Sequence, residues 1–235
     1  KIYRVFGEKT IDEIKANPYR LTDEIFGISF KTADKIAMKL GVDPASKFRL
    51  CSGIKYTLSH AASNGHTYLP EDKLKEHASR LLGVNIENLD DAFISLLFDK
   101  AIYVEKEDGE NKIYLSPFYL AENGVCKRLL ELSSVKFRDD ISDFESKIER
   151  LHAEEGITLA EMQKIAVREA LVNGVLVITG GPGTGKTTII KSIIKLLNRE
   201  GYNVVLAAPT GRAAKRMSEA TGFEARTIHR LLEIG

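Results

Sequence analysis

Tryptophan is absent from the 235 residues, and cysteine is nearly so, with only Cys51 and Cys126. The two lie far apart and form no C-x-x-C pair, which excludes a disulfide-stapled scaffold and a thiolate zinc site; they read as free thiols of a reducing, cytoplasmic compartment. No apolar run approaches the length of a membrane span, and no signal peptide opens the chain, so no membrane association is expected. A large excess of either charge is also lacking, the formal net charge being +1. That balance hides an asymmetry. From residue 156 onward there are 11 Lys+Arg against 6 Asp+Glu, while the region before it has 23 against 27. The bias has the sign that nucleic-acid contact requires but is too small to carry that reading alone. Aspartate disappears altogether after Asp143. What is plentiful is apolar residue, 43% of the chain, enough to bury a core in two or three domains. Lys1 falls inside a helix-like stretch and Gly235 only one strand beyond the last glycine-rich loop, so a fragment of a longer protein is expected.

The most informative stretch is VLVITGGPGTGKTTIIKSI, residues 175–193. Gly180, Gly185, Lys186 and Thr187 fit G-x-x-x-x-G-K-[ST], the phosphate-binding P-loop. Val175–Thr179 is β-branched and apolar, which suits a central parallel strand. Gly181, Gly183 and Gly185 let the backbone turn tightly and aim N–H groups inward, and the following helix adds its positive end. Pro182, Thr184 and Thr188 complete the loop, Lys186 reaches the β- and γ-phosphates, and the Thr187 hydroxyl can ligate Mg²⁺. A nucleoside triphosphate with Mg²⁺ is the expected ligand.

Residues 1–49 read as short helices. Asn17-Pro18 marks a turn, Gly27-Ile28-Ser29 precedes a helix carrying Ala33, Ile36, Ala37 and Leu40, and Gly41 sits at its stop. The pattern resembles a helix-hairpin-helix, in which Gly27, Ser29 and Lys31 would face a DNA phosphate. That hairpin usually has glycine where Ser29 stands, and a plain helical bundle is the alternative. Residues 50–135 read as helices near 51–63, 71–82 and 88–100, then two strands about the turn Asp108-Gly109. Helices followed by a hairpin suggest a winged helix, but the acidic tip EKEDGEN favours a structural or docking role over a seat on phosphates. His60, His66 and His77 lack zinc-finger spacing and read as ordinary surface or core histidines. Residues 136–156 form a charged linker helix, a solvated connector with Ile141, Phe144, Ile148 and Leu151 in one stripe.

In 157–235, Thr158 is expected to cap a helix, with Glu161 three residues on. YNVVLAAPTGRAAKRM supplies a second parallel strand and another helix, and Thr227 caps a last short one. This order implies a doubly wound sheet with ligands at the strands' C-terminal ends.

Together these segments resemble superfamily 1 DNA helicases, most closely the RecD-like (RecD/TraA, exodeoxyribonuclease V alpha) branch, strongest over 155–235. The resemblance implies an α+β multidomain chain: a helix-hairpin-helix and winged-helix-like N-terminal part, then a partial P-loop (RecA-like) domain stopping before its acidic Walker B strand. It implies ATP-dependent movement along single-stranded DNA, with 5′ to 3′ polarity, in recombination and repair. Duplex junctions and nuclease or repair proteins would be its partners. Gln163 matches the adenine-reading Q motif; a solvent-facing helical Gln is the alternative. In APTGRAAKRM, Pro209, Thr210, Arg212, Lys215 and Arg216 would meet the DNA strand, as would Thr227 and His229 in RTIHRLL; surface charges and a core histidine are the plainer reading of Arg212 and His229. Two rivals are a nucleotide- and DNA-binding module without catalysis and another P-loop ATPase that remodels DNA complexes.

Overall fold

The computed structural model describes residues 1–136 and 142–234, so Ile141 of the predicted stripe lies outside the described residues. The chain divides into two compact units, Lys1–Val125 and Cys126–Gly235.

The first unit opens with α1 (Ile2–Phe6), α2 (Thr10–Ala16), α3 (Arg20–Glu24) and α4 (Phe30–Lys39). Asn17 turns the chain into α3 by accepting the Tyr19 N–H at 3.1 Å. α3 and α4 make the predicted hairpin. Gly27 takes φ +95°, a conformation open to glycine, and Ser29 caps α4 by accepting the Thr32 N–H. Serine thus fits this site as a capping residue. α5 (Lys47–Ser63), α6 (Glu71–Leu82) and α7 (Asp90–Phe98) follow with β1 (Tyr68–Pro70), β2 (Ile102–Glu107) and β3 (Glu110–Leu115). The strands pair antiparallel in the order β1-β3-β2, and the turn has both Asp108 and Gly109 at positive φ, as a two-residue hairpin loop needs. Helices and a hairpin thus stand where the winged-helix reading expects them, with β1 as an added third strand. α8 (Ser116–Ser133) follows, where the sequence reading assigned no element.

One apolar core runs through α3, α4, α5, α6, α7 and the sheet, with Leu21, Ala33, Ile54, Leu74 and Ile113 fully buried. A buried ion pair crosses it. Arg49 donates to Asp34 through Nε at 2.8 Å and Nη2 at 3.1 Å, and to the carbonyls of Pro44 and Leu82 at 2.9 Å each. The Tyr19 hydroxyl donates to the same carboxylate at 2.6 Å. Burial pushes the Asp34 carboxyl up, but the hydrogen bonds from Arg49 and Tyr19 outweigh it and hold the group below its ordinary value. Burial first, and then the Asp34 carboxylate, push the Tyr19 phenol well above its usual value.

The second unit contains α9 (Phe144–Glu155), α10 (Glu161–Val172), α11 (Lys186–Arg199), β4 (Leu206–Ala208), α12 (Gly211–Thr221), β5 (Ala225–Thr227) and α13 (Ile228–Leu231). Three expectations change here. The α9 stripe is not solvated: Phe144, Ile148 and Leu151 are buried, and the first two share a core with Val167, Leu171, Ile189 and Leu196. Its charged face is tied to α11 through Glu155 to Lys195 and Glu154 to Arg199. α10 starts at Glu161 rather than after Thr158, whose hydroxyl contacts His152 Nδ1 at 3.1 Å. The Ala160 N–H is satisfied instead by Gln163 Oε1 at 3.0 Å, so the helix closes two residues later. Finally, Val175–Thr179 is not a paired strand. The parallel pair among the described residues is β4 with β5, aligned Leu206↔Ala225 to Ala208↔Thr227, rather than a full doubly wound sheet. The apolar side chains of 175–179 alone do not make a strand without a ladder partner, and Val177 is 78% exposed.

Candidate nucleotide and nucleic-acid site

The P-loop runs from Gly180 into the first turn of α11, with Gly185 as N-cap. Gly183 and Gly185 lie at φ +78° and +82°, which L side chains rarely adopt. A Cβ at Gly185 would also come within 2.3 Å of Gln163 Nε2, and one at Gly180 within 2.7 Å of Thr184 Oγ1. Backbone conformation favours glycine at Gly185, and at both places a Cβ would push aside a side-chain end that braces the loop.

Side chains brace the loop. Lys186 Nζ donates to the carbonyls of Gly180 and Gly181 at 2.5 and 2.7 Å, and Thr184 Oγ1 donates to Gly181 at 2.9 Å. From α10, Gln163 Nε2 donates to the Thr184 carbonyl at 3.1 Å. Both ends of the Gln163 amide are thus engaged, one with the start of its own helix and one with the loop. The 176–180 segment, α10 and the loop enclose a pocket of about 380 Å³, lined by Met162, Gln163, Ile165, Val177, Thr184 and Lys186 among others. Its acid, Glu169, accepts from Asn173 Nδ2 at 2.7 Å. Pro182 and Thr187 are exposed, and Thr188 is half-buried with its carbonyl accepting from Ser192.

The second group of predicted residues gathers at one edge. Because β4 and β5 are parallel and Ala208 aligns with Thr227, the segments leaving their C-terminal ends start side by side. Thr210 caps α12 by accepting the Ala213 N–H at 3.2 Å, and Thr227 caps α13 by accepting the Arg230 N–H at 3.2 Å. Pro209, Arg212, Lys215, Arg216 and His229 are all exposed. His229 is therefore not a core histidine. Lys215 lies 3.9 Å from Glu219, and Arg226 is held by Glu224 at 2.8 Å, which lowers the free positive charge of this edge. Gly27, Ser29 and Lys31 belong to the first unit and are exposed at its hairpin. The sequence reading missed the Gln163–Thr184 bond, which links residues 21 apart, and the β4–β5 pairing, for which neither three-residue strand gives a strong periodic signal.

A helical unit with a capped hairpin, followed by a unit with a braced P-loop, defines a multidomain P-loop protein of α+β class. Residues 1–68 match the model of the ATP-dependent RecD2 DNA helicase HHH domain, and residues 163–235 match that of an AAA domain. The ATP-dependent RecD2 DNA helicase of Deinococcus radiodurans is 31% identical over 244 residues, covering 98% of this chain and 33% of that protein. The RecBCD enzyme subunit RecD of Mycolicibacterium smegmatis is 35% identical over 143 residues, covering 51% of this chain and 24% of the subunit. The ATP-dependent DNA helicase dda of Enterobacteria phage T4 is 50% identical over 58 residues, 24% of this chain and 13% of that helicase. The chain thus spans about a third of the length of the RecD2 relative. It belongs to the RecD-like helicase family.

Proposed function

We propose that this chain is the part of an ATP-dependent DNA helicase that binds ATP with Mg²⁺ and grips single-stranded DNA, in recombination and repair. The observation that carries the reading is the P-loop braced by Gln163, which puts a phosphate cradle and an amide able to pair with adenine on either side of one pocket. Lys186 would exchange its two carbonyls for the β- and γ-phosphates and stabilise charge developing on the transferred group. Among the described residues no cluster of His, Cys, Asp or Glu is placed to hold a metal by itself. The Thr187 hydroxyl would be this chain's contribution to a Mg²⁺ that also takes nucleotide oxygens. Pro209, Thr210, Arg212, Lys215, Arg216, Thr227 and His229 would track a DNA backbone without reading sequence, and Gly27, Ser29 and Lys31 would meet phosphates at the hairpin. The whole protein would move 5′ to 3′, meet duplex junctions and nuclease or repair partners, and work in the cytoplasm; no described helix is long and apolar enough to cross a membrane.

Calorimetry tests the nucleotide reading. Lys186→Ala should weaken ATP binding at least tenfold, about 1.4 kcal/mol, and equal affinities would overturn it. One observation favours binding without turnover in the 235-residue polypeptide. A P-loop ATPase holds Mg²⁺ and activates water with acids at the end of a neighbouring strand. Beyond Lys186 this sequence offers only glutamates, and none ends an apolar strand: Glu200 caps the end of α11 beside Lys147, Glu219 lies on α12, Glu224 holds Arg226 and Glu233 follows α13. Phosphate release should therefore stay near background with or without DNA. Turnover near one per second, lost in Lys186→Ala, would show that one of these acids acts.

A further inference from the structure

Three of the chain's five histidines meet in a single pocket of the first unit. His60 comes from the end of α5, His66 from the turn before β1, and His77 from α6, where Arg80 lies one turn on. Lys31, in the first turn of α4, lines the same pocket, and the Tyr56 ring forms part of its wall, tilted against His60 at 6.2 Å. The space, about 480 Å³, has room for a phosphate with its sugar. All three histidines, Lys31 and Arg80 are exposed to solvent there.

The chemistry is one-sided. No aspartate or glutamate lines the pocket. The carboxylate beside it, Glu76, accepts from Arg80 at 2.8 Å and from Lys73 at 3.4 Å. A metal centre is not the explanation, since no three ligating groups among the described residues are placed to hold an ion. What the three rings share is the capacity to become cationic together beside a lysine that already is.

We propose that this pocket binds a phosphate group of a nucleic-acid strand, with an affinity set by protonation of His60, His66 and His77; it rests on the proposed DNA reading for the identity of its ligand. Lys31 and the partly neutralised Arg80 supply the standing positive charge. A histidine ring that takes up a proton adds a positive charge and a second N–H donor. A bound phosphate favours the protonated rings, so by linkage affinity must rise as pH falls. The pocket is thus a second phosphate contact, made of side chains and adjoining the hairpin through Lys31, which both share.

Nuclear magnetic resonance of the histidine rings in the intact chain tests this. Inorganic phosphate and an oligothymidylate without terminal phosphates are titrated separately at pH 6 and pH 8, at constant ionic strength, with chloride as comparator. Both should bind at least tenfold more tightly at pH 6, moving the signals of His60, His66 and His77 together while those of His152 stay fixed. The variant with all three histidines changed to glutamine should lose that pH dependence and keep its Lys186-dependent ATP binding by calorimetry. If it fails to fold, His77→Gln alone should still reduce phosphate affinity about threefold. Affinities independent of pH, or signals that move equally with chloride, overturn the pocket. Binding of inorganic phosphate without the oligonucleotide overturns the assignment to a strand. Oligonucleotide binding that leaves these rings unmoved overturns the pocket while the β4–β5 edge stands, and loss of ATP binding by the unmodified chain counts against the nucleotide reading alone.

Discussion

The two units are of similar length but are held together differently. In Lys1–Val125 eighteen buried apolar residues form one cluster, and a buried Arg49–Asp34–Tyr19 network crosses it. Among the described residues of Cys126–Gly235 the corresponding cluster has seven, and Val177 and Val205 are exposed at 78% and 61%. The first unit therefore draws its stability from burial, whereas the functional loop of the second depends on a few directed hydrogen bonds from Gln163, Thr184 and Lys186. A damaged core should melt the first unit. A damaged hydrogen bond in the second should change binding and leave the fold in place.

The largest effect should come from Arg49→Ala, which leaves the half-buried Asp34 and two carbonyls without their partner and costs about 3 kcal/mol, the low end for a buried pair because Asp34 keeps some contact with water. With no tryptophan in the chain, tyrosine fluorescence during urea unfolding can report it. A loss under 1 kcal/mol would break the contrast. The same network sets an acid limit. Asp34 is held below its ordinary value in the folded state, so its stabilisation is complete above the unfolded value of about 3.9 and is lost as pH falls through the lower folded one. The melting temperature of the first unit should be insensitive to this group from pH 7 to 5 and drop below pH 4, and Asp34→Asn should remove that component.

Gly185→Ala comes next. It forces a positive φ on alanine and drives a methyl into the Gln163 amide, so ATP affinity should fall tenfold or more while the first unit melts as before. Unchanged affinity by calorimetry would mean that the brace is dispensable. Gln163→Ala should have the smallest effect, a loss of preference for ATP over GTP of roughly threefold, the scale of one hydrogen bond. Unchanged discrimination would leave Gln163 only its structural role.

Legibility in the sequence followed the range of the interactions. The P-loop, the Asp108-Gly109 hairpin and the Gly27–Ser29 turn are each set within a few residues, and their backbone demands can be read from glycine placement alone. Helix-start chemistry was misplaced because Thr158 looks like a cap until His152, six residues earlier, is seen to hold its hydroxyl. The burial of the α9 stripe was hidden by its charges, which sit on the opposite face and pair with α11. The Arg49 network and the histidine pocket join helices that nothing local connects. Equally non-local is the β4–β5 alignment, which decides that two threonine caps 17 residues apart share an edge.

The single amide of Gln163 carries a further consequence. One hydrogen of its Nε2 goes to the Thr184 carbonyl and the second is left over for a base, so the same side chain would hold the loop and read adenine together. Recognition of the base and bracing of the phosphate cradle would then run through one amide. A triphosphate lacking its base would leave that second hydrogen unused and the amide less firmly set than ATP does, and the chain would sense the identity of its nucleotide through the side chain that steadies the loop.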